Sequence, residues 1–269
     1  MPDAALRVEL MGLGFDRADM AAAVETCLAW CAGPRVAHSV ITANAAILCM
    51  MRRDPELAAA CRAGDLTVAD GMSAVWALRA AGTPVPERVT GVDLMARLLE
   101  EGGRRGLSAY FLGAHEETVS RLAALCGTRF PGLRVAGWRN GYFGPADHEV
   151  IVEAIRASGA HLLFVGMPSP FKETFCERHR DRLGVPVMMG VGGSFDVLAG
   201  KIARAPAWMR RAGLEWAWRL LMEPRKMWRR YLSTNSEFIW HAGREVLSRR
   251  LGLGGRRRAL PPAAGAHGP

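Results

Sequence analysis

The sequence predicts an α/β layered fold, a mostly parallel sheet flanked by helices, followed by a C-terminal helical appendage. Three observations carry this. From Arg7 to Gly200, short apolar runs alternate with longer amphipathic ones, the pattern of a layered α/β protein. The runs at 108–112, 161–165 and 186–190 lack polar alternation, as strands covered on both faces do. After Gly200 the strand-like runs stop, and helical periodicity rich in Trp and Arg takes over.

Taken in order, Arg7–Met11 is a short strand-like run and Arg17–Cys31 a helical one. Val36–Thr42 is the next apolar strand, followed by helical patterns at Ala45–Arg53 and Pro55–Ala63. Leu66–Val68 is a short strand, then helices are expected at Met72–Ala81 and Val92–Arg105. Ser108–Leu112, Arg134–Gly137, His161–Val165 and Pro186–Gly190 complete the strands. Between them lie helical patterns at Glu116–Phe130, Ala146–Ser158 and Pro170–Leu183. Pro206–Met222 then reads as one helix, because Trp208, Met209, Trp216 and Leu220 fall on an apolar stripe. Glu223-Pro224 punctuates, and Arg225 to about Ser248 forms a second helix. The end, Arg256 to Pro269, is basic and then Pro/Ala/Gly-rich, a composition expected to be disordered. The expected division is therefore 1–200 as the core, 201–250 as a basic, Trp-rich helical appendage and 251–269 as a tail.

Composition bounds the function. Of 269 residues, 50% are hydrophobic and 23% charged, enough to bury a sizeable core and exclude wholesale disorder. The net charge of +9 is unevenly placed: from Gly200 onward there are 15 Lys and Arg against 4 Asp and Glu, and before it 20 against 22. Five of the eight Trp share that basic segment. A neutral body with a basic, Trp-rich end points to an anionic partner, nucleic acid or an anionic membrane. The six Cys form no CxxC pair and read as buried free thiols. No signal-peptide pattern and no spanning apolar run is present, so the expected location is cytoplasmic, with the appendage able to touch a membrane face.

Missing motifs matter as much. There is no GxxxxGK[ST], no GxGxxG opening a helix, no GxSxG and no HExxH. There is also no Asp-x-Asp to hold a divalent metal on a diphosphate, so Arg, Lys and helix amino ends would neutralise one. What is present gathers at the ends of expected strands. Gly113 and Gly166 follow apolar runs, where a bare Cα suits a tight turn or lets a ligand approach the backbone. Four further segments stand out: Ile41-Thr42-Ala43-Asn44, Val68-Ala69-Asp70-Gly71, Pro86 to Asp93, and Gly190 to Gly200.

Together with Glu215-Trp216 through Tyr231, these segments strongly resemble the WecG/TagA/CpsF glycosyltransferase family, in order and spacing, over about residues 38–232. The resemblance implies a Rossmann-like core and a C-terminal appendage that docks on membrane and helps complete the site. It also implies an enzyme moving a sugar from a UDP-sugar to a polyprenyl-diphosphate-linked sugar at the inner membrane face, with inversion and no metal cofactor. Carried over residue by residue, Asp70 resembles the family's general base. Thr42 and Asn44 match its strand-end polar pair, and Arg88, Gly91 and Asp93 match the segment lining the same pocket. Gly113, Gly166, Gly192 and Asp196 match nucleotide-side elements. Arg225, Arg229 and Arg230 match basic residues expected to meet phosphate. One departure stands in Pro170-Phe171-Lys172-Glu173, where Lys172 occupies a slot the family usually fills with Gln. Lys172 and Glu173 thus join the candidate substrate-binding residues, with diphosphate or an acidic sugar as Lys172's expected partner.

Plainer roles exist for the same residues. Asp70 suits a cap of the helix at Met72, Asp93 and Asp196 suit helix caps, Arg88 suits a surface ion pair, and Glu173 suits a structural role. A nucleic-acid binder would explain the basic end but not the polar groups at strand ends in a neutral body, so no nucleic-acid partner is expected. An enzyme on soluble acceptors, using the appendage to oligomerise, is a third reading, and homo-oligomers are compatible with the resemblance.

Overall fold

The computed structural model describes residues 7–222 and 224–251, with backbone alone at Arg211, Arg219 and 224–233. The expected disordered tail and the side chains of Arg225, Arg229 and Arg230 lie outside the described residues.

The chain opens on an antiparallel hairpin, β1 (Val8–Leu10) and β2 (Leu13–Phe15). Met11 and Gly12 turn it with φ of 51° and 79°, the two-residue positive-φ geometry that matches strand twist. The sequence predicts only the first of these strands. Leu13-Gly14-Phe15 is too short, and its middle residue too bare, to show a period of two. Then follow α1 (Met20–Ala32), β3 (His38–Ala43), α2 (Ala45–Met51), α3 (Pro55–Arg62), β4 (Leu66–Ala69), α4 (Met72–Ala80) and α5 (Gly91–Arg104). Next come β5 (Ser108–Gly113), α6 (Glu116–Arg129), β6 (Arg134–Arg139), α7 (His148–Ala157), β7 (Leu162–Gly166), α8 (Phe171–Arg178), α9 (Arg180–Leu183) and β8 (Val187–Gly190). The chain continues through α10 (Ser194–Leu198), α11 (Ala207–Arg211), α12 (Glu215–Met222) and α13 (Pro224–Arg250).

The six strands β3 to β8 form one sheet in the order β4-β3-β8-β7-β5-β6, and every pairing in it is parallel. Helices α1, α5, α6 and α10 pack on one face, around Phe111, Phe164 and Phe195. On the other face, α7, α8 and α9 cover the β5–β7–β8 half, and α2 and α3 cover the β3–β4 half. This three-layer, doubly wound arrangement fits a Rossmann-like core. Connections leaving neighbouring strands for opposite faces open a crevice at the carboxyl edge, the usual ligand ground of such sheets.

Two expected helices are divided. Pro206–Met222 becomes α11 and α12 because Gly213 takes φ +71° and lays its bare Cα against Met72, whose Cγ would sit 2.5 Å from a Cβ there. Pro170–Leu183 becomes α8 and α9 because His179, at φ −110° and ψ 11°, leaves the helical conformation. A third difference lies at α10, which the sequence shows only as a glycine-rich segment.

The second half of α13 is part of the body. Phe238 and Ala242 are buried with the α2 and α4 side chains. Glu245 accepts a 2.8 Å hydrogen bond from the Met11 amide, and Arg249 donates to the Glu9 carbonyl at 2.8 Å. All six cysteines are free, and five are buried. Burial pushes the Cys176 thiol up to about 12, so it behaves as an apolar side chain. Among the described residues, no helix is long and apolar enough to cross a membrane.

Candidate active site at the carboxyl edge of the sheet

The β3 and β4 ends hold the polar side of the edge. Backbone bonds knit it: the Asp70 amide donates to the Ala43 carbonyl at 2.9 Å, and the Val89 amide to the Ala69 carbonyl at 3.0 Å. The strand ends and the loop entering α5 are therefore one rigid unit. Asp70 does not cap α4. Gly71 is the cap residue there and has no side chain to bond with. Instead Asp70 Oδ1 accepts a 3.1 Å hydrogen bond from the Gly91 amide, at the first residue of α5. The amino end of a helix carries unsatisfied N–H groups and partial positive charge, so a carboxylate suits that place.

The neighbours of Asp70 come from the predicted segments. Thr42 is buried, and its hydroxyl reaches the Gly190 carbonyl at 3.4 Å, joining this side of the edge to β8. The Gly91 backbone lies beside Thr42, where an added Cβ would sit 3.5 Å from Oγ1, an ordinary packing distance. Asn44 caps α2, its Oδ1 accepting from the amides of Ala46 at 3.0 Å and Ile47 at 3.2 Å. Asp93 sits in the first turn of α5. Thr90 Oγ1 accepts from its amide at 3.1 Å and donates to its Oδ2 at 2.6 Å. Burial works against the charged carboxylate, but hydrogen bonds from Thr90 and Arg204, with the charges of Arg204 and Arg210, outweigh it and hold Asp93 below the usual range. Arg88 takes the ion-pair role: its Nη2 meets Glu215 Oε2 at 2.8 Å.

The β5, β7 and β8 ends are built differently. Gly113 and Gly166 face each other across paired strands. A Cβ on Gly113 would fall 2.6 Å from the Gly166 carbonyl carbon, and one on Gly166 would fall 2.5 Å from the Phe195 ring. These glycines are required by their neighbours, independently of any ligand. Asp196, on α10 beside Phe195, accepts from Thr118 Oγ1 at 3.4 Å and lies 4.0 Å from Lys201 Nζ. Lys172 turns inward. Its stem lies along Gly190, where a Cβ would meet Lys172 Cδ at 2.9 Å, and extends toward Gly192. Its ammonium pairs with Glu173, which also accepts from Ser169 Oγ at 2.8 Å. Both residues are buried, and Glu173 Oε2 has no hydrogen-bond partner among the described residues.

Two groups at this edge escape the sequence reading. His115 follows β5 and Tyr142 follows β6; the tyrosine hydroxyl lies 2.8 Å from the imidazole, and the ring is 66% exposed. Such an aromatic face can stack a planar ring. Only the sheet order brings the two together, since 27 positions separate them. The other group is Arg204, Arg210 and Glu215, in the appendage expected to help complete the site, whose core partners Arg88 and Asp93 the sequence does not show. Among the described residues, no three His, Cys, Asp or Glu side chains gather as a metal site would require.

Residues 8–252 match the family described as Glycosyl transferase WecG/TagA/CpsF family. Over 194 residues, 72% of this chain and 74% of the relative, the sequence is 32% identical to an N-acetylglucosaminyldiphosphoundecaprenol N-acetyl-beta-D-mannosaminyltransferase of Bacillus spizizenii. The chain belongs to the WecG/TagA/CpsF glycosyltransferase family.

Proposed function

We propose that this family member transfers a hexosyl or N-acetylhexosaminyl group from a UDP-sugar to a sugar carried on a polyprenyl diphosphate, in the synthesis of exopolysaccharide or another cell-surface glycan. The observation that carries the reading is the placement of Asp70. A carboxylate stands at a strand end on the ligand edge, released from capping its own helix and fixed by the Gly91 amide. The relative's name supports the acceptor class, because it acts on a sugar linked to undecaprenyl diphosphate.

The reaction is a single displacement with inversion. An acceptor hydroxyl is a poor nucleophile until a base takes its proton. Asp70 accepts that proton as the oxygen attacks C1 from the face opposite the nucleotide. The C1–oxygen bond to the diphosphate breaks, and its electron pair leaves on UDP. Arg225, Arg229 and Arg230 neutralise the leaving diphosphate, with no metal cofactor. The basic end of the chain and the exposed Trp208, Trp216 and Trp240 support peripheral attachment to an anionic membrane at its inner face.

The test is a screen of UDP-sugars for UDP release by the full chain, with a polyprenyl-diphosphate monosaccharide as acceptor and Asp70→Asn beside the wild type. Turnover of one donor, lost in Asp70→Asn, is expected. Near wild-type turnover by the variant overturns the base assignment, and no turnover with any UDP-sugar overturns the donor class. Binding to anionic liposomes but not to DNA is expected of the same preparation; the reverse would favour a nucleic-acid binder.

A further inference from the structure

Beside Asp70, the segment from Arg204 to Glu215 touches the core through two ion pairs of opposite sense. In one, the core gives the cation: Arg88 Nη2 to Glu215 Oε2 at 2.8 Å, with only 15% and 24% of the side chains exposed. In the other, the core gives the anion: Asp93 Oδ1 to Arg204 Nη2 at 2.5 Å. Both core partners flank Thr90 and Gly91, at the amino end of α5 where the Asp70 carboxylate is held. A segment with the sign order cation-then-anion fits this ground in one direction only, since the reverse docking sets like charges together. Arg210, between them in sequence, adds a carbonyl that accepts from Arg88 at 3.4 Å and a buried Nε without a hydrogen-bond partner among the described residues.

The Arg88 contacts are one-sided. Glu215 and the Arg210 carbonyl both take Nη2, and no described residue bonds Nη1 or Nε. A guanidinium is a planar fork with five donors. Both acceptors gather on Nη2, which restrains the group and leaves the Nε and Nη1 donors for an anion.

We infer that Glu215 and Arg204 are positioning residues of the active site. Glu215 orients the Arg88 guanidinium toward the anionic group of the donor, and Arg204 locks the segment onto α5 through Asp93. This rests on the UDP-sugar reading for its ligand, whereas the clasp itself stands on the two ion pairs. Neither residue touches substrate; each acts through a core side chain.

Donor kinetics, UDP binding by calorimetry, and amide exchange of residues 204–215 in the full chain test it together. Glu215→Ala is expected to raise the donor KM and the UDP Kd by about tenfold, the size of one lost charge-assisted contact, with kcat changed far less. Glu215→Asp should recover most of the loss. Arg204→Asp and Asp93→Arg should each speed exchange in 204–215, and the two together should slow it again. Unchanged KM and Kd in both Glu215→Ala and Glu215→Gln overturn the positioning role, even if exchange quickens. Unchanged exchange in Arg204→Asp overturns the clasp. If the wild type uses no UDP-sugar, the donor reading fails alone, and UDP binding and the Arg204/Asp93 exchange pattern still decide the inference.

Discussion

The two halves of the carboxyl edge solve the same geometric problem with different materials. At the β3–β4 end the ground is lined by side chains that donate and accept: Thr42, Asn44, Asp70, Arg88 and Asp93. At the β5–β7–β8 end the backbone itself forms the surface. Gly113, Gly166 and Gly190 are spoken for by a facing strand, the Phe195 ring and the Lys172 stem. Changes at Asp70 and Arg88 on the first half should therefore be felt chiefly in the reaction, and changes at the second half's glycines in the fold. A half that behaved like the other would break this division.

The largest effect belongs to Asp70→Asn, which should lower kcat by about 10²- to 10⁴-fold, the usual contribution of a general base, while the melting temperature stays near wild type. A parallel loss of Tm would place Asp70 with the structural half. Next comes Lys172→Met, which leaves Glu173 buried and unpaired. Removing one partner of a buried pair costs about 3–5 kcal/mol, so a large drop in Tm is expected, much of it regained in the Lys172→Gln/Glu173→Gln double variant. Gly113→Ala follows. Its Cβ would meet backbone at 2.6 Å and its φ is +124°, so about 3 kcal/mol is expected from overpacking and strain, or roughly 6–12 °C in Tm. Gly193→Ala is the sharpening control. A Cβ there meets nothing within 4 Å, so Tm should hold, and a raised donor KM would mark ligand approach at that turn.

Smaller effects follow. Asn44→Ala removes the cap of α2 and should cost about 1 kcal/mol, read as a Tm roughly 2–4 °C lower. The smallest is a pH effect at Asp93. Its folded value lies below the ordinary 3.8, so the stability it contributes is whole above that value and is lost as pH falls through the folded one. Asp93→Asn should flatten the acid limb of the stability profile below about pH 4. An unchanged limb would mean Thr90 and Arg204 do not favour its charged form.

Much of this was legible in the sequence. The strand-and-helix alternation foretells all six strands of the parallel sheet, most plainly β5, β7 and β8, whose buried positions are written as continuous apolar runs. The Thr42 and Asp70 segments stand out because polar groups at apolar strand ends are unusual, and the Arg88 segment through the family resemblance. What stayed hidden depends on contacts distant in sequence. Asp70 preferring the Gly91 amide to its own helix is decided by how β4 and α5 meet. The inward turn of Lys172 depends on the room left by Gly190. The break at Gly213 needs Met72, 141 positions away. Nothing local in Glu215 distinguishes a surface glutamate from one that grips Arg88.

The unbroken course of α13 has a mechanical consequence. At about 1.5 Å per residue, its 27 residues make a rod of roughly 40 Å. One end is clamped: Phe238 and Ala242 are sunk among α2 and α4 side chains, and Glu245 and Arg249 are pinned to the hairpin. The clamp reaches back to Thr234, whose carbonyl accepts from Cys49 Sγ of α2, and to Glu237, paired with Arg53, so the rod is tied to α2 along this stretch. A push on its far end turns into torque on α2, whose cap, Asn44, stands two residues beyond Thr42.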